Sequence, residues 1–382
     1  MQKHESIQIK KTARLMIGVC GILFCLFSFS FLYWMQSDVL SMSQHLLSKG
    51  STTYSNIWGA TIITSLLMLI VILFRRARIF AIHSQALYFF PSCVILGLIT
   101  CIVQDRGWDY TFAVSWISLT IYILLYLFIV WISLHYPDTR NSAKSSPSQM
   151  RINLILLALQ FYMVGSIGNS NDAYHYELKT ENLIMEGENS TALTIGKKSL
   201  ATNRNLTALR VFALSRMGEL GNKLFEYPQE YGSNGLLPNT YDSISAYNWT
   251  QELYKHLGGY PGKGISTAKQ FLEILSRHDN ARPATHDYLL CAYLLDKELD
   301  KFVMKLPTFY TINDSLPAHY KEALIIFSLE KGEDNKYFTD KSVEENIKEY
   351  NNFAKQITDS IVRSNKCRRE YGHTYWWYYH FK

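Results

Sequence analysis

Apolar positions along this chain fall into two patterns. As far as residue 169 they come in long unbroken runs. From residue 170 onward they recur every three or four positions among charged residues. Five of the runs, at residues 15–35, 57–74, 86–103, 111–134 and 152–168, are long enough to cross a hydrocarbon core of about 30 Å. None contains Asp, Glu, Lys, Arg or His. Basic residues precede the first run, as in a secretory leader. That run is too long for a leader's apolar region, and no small-x-small site closes it, so it reads as a retained span.

The second pattern predicts helices over residues 172–186, 190–200, 206–217, 219–225, 244–256, 265–276, 285–295, 297–306, 318–329 and 343–362. No alternating strand series appears, which disfavours a sheet-based enzyme. The expected fold class is all-α: a five-span transmembrane bundle (residues 1–169), then a soluble helical-repeat domain (residues 170–382). Short helical hairpins in succession suggest a tetratricopeptide-like repeat. Setting Ala192 at the signature small position places Tyr176 and Leu183 at the pattern's earlier apolar sites. Gly196 and Ser199 then fall at packing sites of a second helix. Lys179-Thr180 replaces the expected Leu-Gly pair.

Charge changes the picture of what the chain meets. The net charge of +6 would ordinarily suggest nucleic acid. The first 169 residues, however, carry 12 Lys/Arg against 5 Asp/Glu, and the remainder carries 26 against 27. Ten of those twelve cations lie in segments that alternation of the spans puts on one side. Only Lys49 and Arg106 lie in the opposite short loops. By the positive-inside bias the N-terminus is cytoplasmic and the C-terminal domain lies outside. The lipid bilayer is thus the expected partner and nucleic acid is not. The spans hold no ionisable group on which a transport cycle could run. Asn153 and Gln160 in the fifth run read as helix-joining amides.

Candidate chemistry is sparse. "GGYPGKGIST" (258–267) fails as a phosphate loop, because Gly264 stands where a hydroxyl residue must follow the lysine. Cys291 and Cys367 are the two cysteines of the second half, compatible with a disulfide or with free thiols. No metal-ligand spacing, nucleophile elbow or dinucleotide fingerprint occurs, so the sequence names no cofactor and no metal. A catalytic residue cannot be assigned either.

Binding candidates come from two outer loops and the C-terminus. In "SDVLSMSQHLLSKGSTTYS" (37–55), Val39, Leu40, Leu46 and Leu47 form one face of a short interfacial helix that carries His45. "QDRGWDY" (104–110) places Asp105 beside Trp108. The chain closes on "YGHTYWWYYHFK" (371–382), in which seven of twelve residues are aromatic. Three readings of Tyr375, Trp376, Trp377 and Tyr379 stay open: a seal on the repeat core, an aromatic membrane anchor, or the lining of a ligand or peptide groove.

"SMSQHLLSKGSTTYS", "NRNLTALRVFALSRMGELGNKLFEYP", "LPAHYKEALIIF" and "TYWWYYHF" together resemble an uncharacterised family of multi-pass inner-membrane proteins from the Bacteroides–Porphyromonas group, with a tetratricopeptide-like C-terminal domain. The resemblance implies an inner-membrane location and a periplasmic helical domain, and it transfers no catalytic residue. The triplets Asp242-Ser243-Ile244, Asp314-Ser315-Leu316 and Asp359-Ser360-Ile361 resemble an O-glycosylation acceptor pattern of such bacteria. The expectation is a membrane-anchored scaffold that binds a protein or peptide. The alternative is an enzyme or accessory subunit acting on envelope glycans or lipids, with His45, Asp105, Trp108 and the terminal aromatics at its site.

Overall fold

The computed structural model describes residues 2–77, 85–104, 110–135, 146–238, 249–262, 264–265, 267–332, 338 and 340–382. It is almost wholly helical and divides into two compact units, Met1–Asn171 and Asp172–Lys382.

The first unit opens with α1 (Gln2–Ser30), extended by a π-helical turn Phe31–Met35. Next come α2 (Ser37–Leu47) and α3 (Asn56–Ala77). A 3-10 turn Gln85–Phe89 leads into α4 (Phe90–Ile99). A hairpin of β1 (Ile102–Gln104) and β2 (Tyr110–Phe112) follows, with Val103 opposite Thr111. Then come α5 (Trp116–His135) and α6 (Ser146–Ile167).

Among the described residues three helices are long and apolar enough to cross a membrane: Leu15–Met35, Asn56–Arg76 and Met150–Ile167. The expectation of five spans is corrected at the third and fourth runs. The third stops as a helix at Ile99. The Thr100 hydroxyl turns back onto the Leu96 and Gly97 carbonyls, at 3.0 Å each. The Asn169 amide then takes the Thr100 carbonyl at 3.0 Å. From Ile102 the same apolar sequence pairs as a strand. The helical part, Gln85–Ile99, rises about 25 Å, at about 2 Å per residue over the 3-10 turn and about 1.5 Å over α4, short of the roughly 30 Å core. The fourth run loses its first residues to β2, and its apolar helical part is Trp116–Ile132.

Aromatic stacking and one glycine fix the packing of this unit. Phe27 stacks on Phe161 with centroids 3.9 Å apart, joining α1 to α6. A Cβ on Gly97 would lie 2.8 Å from Ile167, so α4 approaches α6 as closely as it does only without a side chain there. The two amides of α6 serve the backbone where the 3-10 turn begins. Asn153 Oδ1 accepts the Ala86 N–H at 2.8 Å, and Gln160 Nε2 donates to the Ala86 carbonyl at 3.0 Å. They join elements by closing buried polar backbone groups that would otherwise stay open.

The second unit is built from helical hairpins. Its first members are α7 (Asp172–Met185) with α8 (Asn189–Ala192), and α9 (Arg204–Arg216) with α10 (Leu220–Lys223). Then follow α11 (Trp249–Leu257) with α12 (Ala268–Leu275), α13 (Pro283–Leu295) with α14 (Leu299–Lys305), and α15 (Ala318–Lys331) with α16 (Lys341–Lys355). α17 (Ser360–Tyr371) and α18 (Tyr375–Phe381) close the chain. The first helix of each of the five pairs ends at a residue of positive φ: Gly187, Gly218, Gly258, Lys297 and Gly332. At four of these turns one hydrogen bond recurs. Glu188, Glu219, Gly259 and Glu298 donate their N–H groups to the carbonyls of Leu183, Leu214, Tyr254 and Tyr293 at 2.8–3.1 Å. This is the 6→1 bond of a Schellman turn, and it satisfies a carbonyl that the helix end leaves open. The five turns are 31 to 40 residues apart.

α9 and α13 lie at the centre. Residues from Leu206 to Leu214 and from Tyr288 to Leu295 are buried on every face, as the all-round apolar sequence of α13 requires. A Cβ on Gly221 would lie 2.7 Å from Pro317 Cβ, so α10 also packs directly on the start of α15, three pairs later.

Among the described residues two expected helices differ, and residues 244–248 of the expected helix 244–256 lie outside them. The stretch 190–200 is helical only over Asn189–Ala192, because Gly196 takes φ +59° and the chain turns there. The stretch 343–362 is two helices. Asp359 breaks it by accepting the Val362 N–H at 2.8 Å as an N-cap, and Arg363 donates to the carbonyls of Ile357 and Thr358. Cys291 and Cys367 are buried free thiols in one core.

Candidate functional site

The aromatic C-terminus forms α18, and its local sequence explains why. Thr374 is the N-cap, with Oγ1 accepting the Trp377 N–H at 3.4 Å. Glu322 of α15 supplies a carboxylate to the same end, accepting the Tyr375 N–H at 2.7 Å. A buried anion at a helix N-terminus is favourable there.

Once docked, α18 bridges three of the five helical pairs. Tyr375 and Tyr378 pack on Phe225 below α10, with centroids 5.2 and 4.9 Å away. The Tyr378 hydroxyl donates to the Leu295 carbonyl at 2.8 Å at the end of α13. Tyr379 donates to Glu330 of α15 at 2.7 Å, with the Lys297 ammonium 5.8 Å from its ring. Tyr375, Trp376, Trp377 and Tyr378 are all buried in the central core, so the helix seals that core. The Tyr375 hydroxyl and Trp376 Nε1 are buried without a hydrogen-bond partner among the described residues.

Beside α18 lies an open cavity of about 650 Å³. One wall is the turn after α8, with Lys197, Lys198 and Leu200. A second is the segment after α10, with Glu226, Tyr227 and Pro228. The last turn of α17 brings Arg368 and Arg369, α18 brings Trp377, and Lys382 follows at its end.

Cations dominate these walls. Lys197 pairs with Glu226 at 2.7 Å, and Lys382 reaches both oxygens of Glu230 at 2.7 Å. The Arg368 guanidinium lies 5.2 Å from the Trp377 ring centroid. Arg369 is 86% exposed and only 3.8 Å from its neighbour Glu370. Lys198 has no ion-pair partner among the described residues. Behind the second wall, Arg210 is fully buried, 5.1 Å from the Tyr227 ring. It donates to the carbonyls of Ile195 and Gly196 at 3.0 and 3.3 Å and so holds the turn that carries Lys197. Burial pushes the Arg210 pKa down to about 10, which still leaves it charged at neutral pH.

The candidates legible in the sequence are distributed as follows. Trp377 lines the cavity. Tyr375 and Trp376 face the core, and Tyr379 lies half-buried against Glu330. His45 is half-buried in the last turn of α2, in the other unit. On that helix Val39, Leu40 and Leu46 are buried, but Leu47 is 61% exposed and leaves the expected apolar face. Asp105 and Trp108 lie outside the described residues. The cavity's own cations were missed. Their signal was two basic doublets, Lys197-Lys198 and Arg368-Arg369, which sequence distance separates and folding brings to one cavity.

One pair has the look of acid–base chemistry. Ser215 Oγ lies 2.9 Å from His256 Nε2. A nucleophile–base pair needs a third group that stabilises the imidazolium. Burial, and then the charges of Arg216 and Arg282, instead lower the pKa of His256. The pair links α9 to α11.

A family of unknown function, DUF6057, matches residues 167–260 and 263–382. No curated protein and no solved structure matches the chain.

Proposed function

The chain belongs to DUF6057, a family of unknown function, and within it we propose a membrane-anchored binding protein whose tetratricopeptide-like second unit holds a protein or peptide partner. The observation that carries the reading is the succession of five helical pairs closed at positive-φ residues. Repeats of this kind present extended surfaces suited to polypeptides. The tetratricopeptide likeness is supported at Ala192, set at the signature small position and fully buried; Gly196 packs on the Tyr176 ring from a turn and not from a second helix.

The proposed site of action is the bacterial inner membrane, with the N-terminus cytoplasmic and the repeat unit periplasmic. The basic segments after α3 and before α6 support this orientation even with three long spans. The shorter α4 and α5 lie between those segments, so either both cross or neither does. The number of crossings is odd in both cases.

Crosslinking an affinity-tagged full-length protein in native membranes tests the binding role. A stoichiometric protein partner is the expected result, and recovery of none sinks the reading. Alkaline phosphatase fused after Lys382 should be active. Activity only in fusions within residues 137–150 would invert the topology.

A further inference from the structure

We propose that the cavity beside α18 holds an acidic peptide segment, gripped through its carboxylate side chains. This rests on the partner-binding reading above and names the chemistry of the partner.

The first argument is charge concentration. Residues 170–382 are nearly neutral, with 26 Lys/Arg against 27 Asp/Glu. Yet the cavity gathers five Lys/Arg side chains and one carboxylate, Glu226. Lys197 and Lys382 are balanced by Glu226 and Glu230. Lys198 and Arg368 face the opening without a close carboxylate among the described residues, and Arg369 has only its chain neighbour Glu370, at 3.8 Å. Arg210, buried behind Tyr227, adds a positive charge that has no carboxylate partner there either. A concave surface of one sign, with low-dielectric walls, focuses its field on what enters.

The second argument decides the class of anion. A compact dianion such as phosphate is held by converging N–H groups at helix N-termini. This cavity is bordered instead by the last turn of α17 and by Lys382, which follows the end of α18. Their carbonyl ends carry partial negative charge and disfavour a concentrated double charge. Separate carboxylates, each met by its own Lys or Arg, avoid that cost, and arginine's planar fork suits them. The walls also offer apolar surface to the stems of a peptide. Leu200 is 62% exposed at the rim, beside Pro228.

The test uses full-length protein in lipid nanodiscs and a fluorescein-labelled peptide of Leu, Glu and Asp, read by anisotropy. The wild type should bind it, and should lose affinity between about 50 mM and about 300 mM NaCl as screening shortens. The double variant K198E/R369E should bind about tenfold more weakly. Both side chains are exposed and outside the core, so unchanged tryptophan emission will certify the fold. R368Q, which takes the guanidinium away from Trp377, should weaken binding as well. Equal affinity in wild type and variants overturns the proposal. So does stronger competition by inorganic phosphate, or by phosphatidylglycerol vesicles, than by unlabelled peptide. The crosslinking experiment separates the two readings. Undiminished partner capture by K198E/R369E sinks the cavity and leaves the scaffold standing. Peptide binding without any captured protein supports the cavity chemistry and sinks the scaffold.

Discussion

Glu322 Oε2 lies 2.7 Å from the backbone nitrogen of Tyr375, across 53 residues of sequence. The same oxygen lies 3.1 Å from His319 Nδ1. Through this carboxylate the repeat fastens the aromatic C-terminal helix that completes its core. Replacing Glu322 by Ala leaves the first N–H of α18 buried and open. The expected cost is about 1–3 kcal/mol, seen as a lower Tm and as red-shifted emission from Trp376 and Trp377. Unchanged emission in the variant would show that α18 docks without the carboxylate.

The repeat turns make a ranked prediction. A Cβ at Gly218 meets nothing within 4 Å, so Gly218→Ala is penalised only by φ +70°, about 1–2 kcal/mol. Gly221→Ala drives a Cβ into Pro317 and Tyr320, and should destabilise more. Chemical denaturation of both variants gives the order, and a reversed order would refute the close packing of α10 on α15.

At Lys297 a side chain bears φ +57° where the other four turns carry glycine. Lys297→Gly relieves that strain and should raise stability by up to about 1 kcal/mol, less whatever the ammonium gains on the Tyr379 ring. Pairing the substitution with Tyr379→Leu in a double-mutant cycle separates the two effects.

In the first unit, Gln160→Leu strips the Ala86 carbonyl of its donor, and Asn153→Leu strips the Ala86 N–H of its acceptor. Each should cost about 1 kcal/mol. Faster hydrogen exchange at residues 85–89 in detergent is the readout. Exchange confined to α5 would point to a different weak element.

Asp287 gives the second unit a pH dependence of predictable sign. Burial raises its carboxyl pKa, against the lowering effect of hydrogen bonds from the Tyr310 and Tyr320 hydroxyls at 2.6 and 2.9 Å. A raised folded value means the native state holds the proton more tightly than the unfolded chain. The stability this gives is full below the ordinary carboxyl range near about pH 4 and falls as pH rises through the folded value. Asp287→Asn keeps the acceptor oxygen and removes the charge. It should flatten that fall and melt higher than the wild type at neutral pH. Parallel melting curves for the two proteins at every pH would contradict the assignment.

Periodicity was enough for most of the helices. The three-to-four spacing after residue 170 marked α7, α9, α13 and α15 nearly end to end, because an amphipathic or wholly buried helix must be written into consecutive residues. Apolar run length was enough for α1, α3 and α6. It was not enough for residues 86–134, since a run of apolar residues fits a buried helix and a buried strand equally. Thr100 and Asn169 settle that choice through hydrogen bonds 69 residues apart. The same holds for the C-terminus. Composition declared its aromatic surface, but only Glu322, Phe225 and Leu295, all distant in sequence, turn that surface into core. The cationic cavity is the extreme case. Lys197-Lys198 and Arg368-Arg369 are ordinary doublets along the chain, and they become one electrostatic site only when the repeat winds its ends together. Local propensity is a property of neighbours in sequence, whereas a site is a property of neighbours in space.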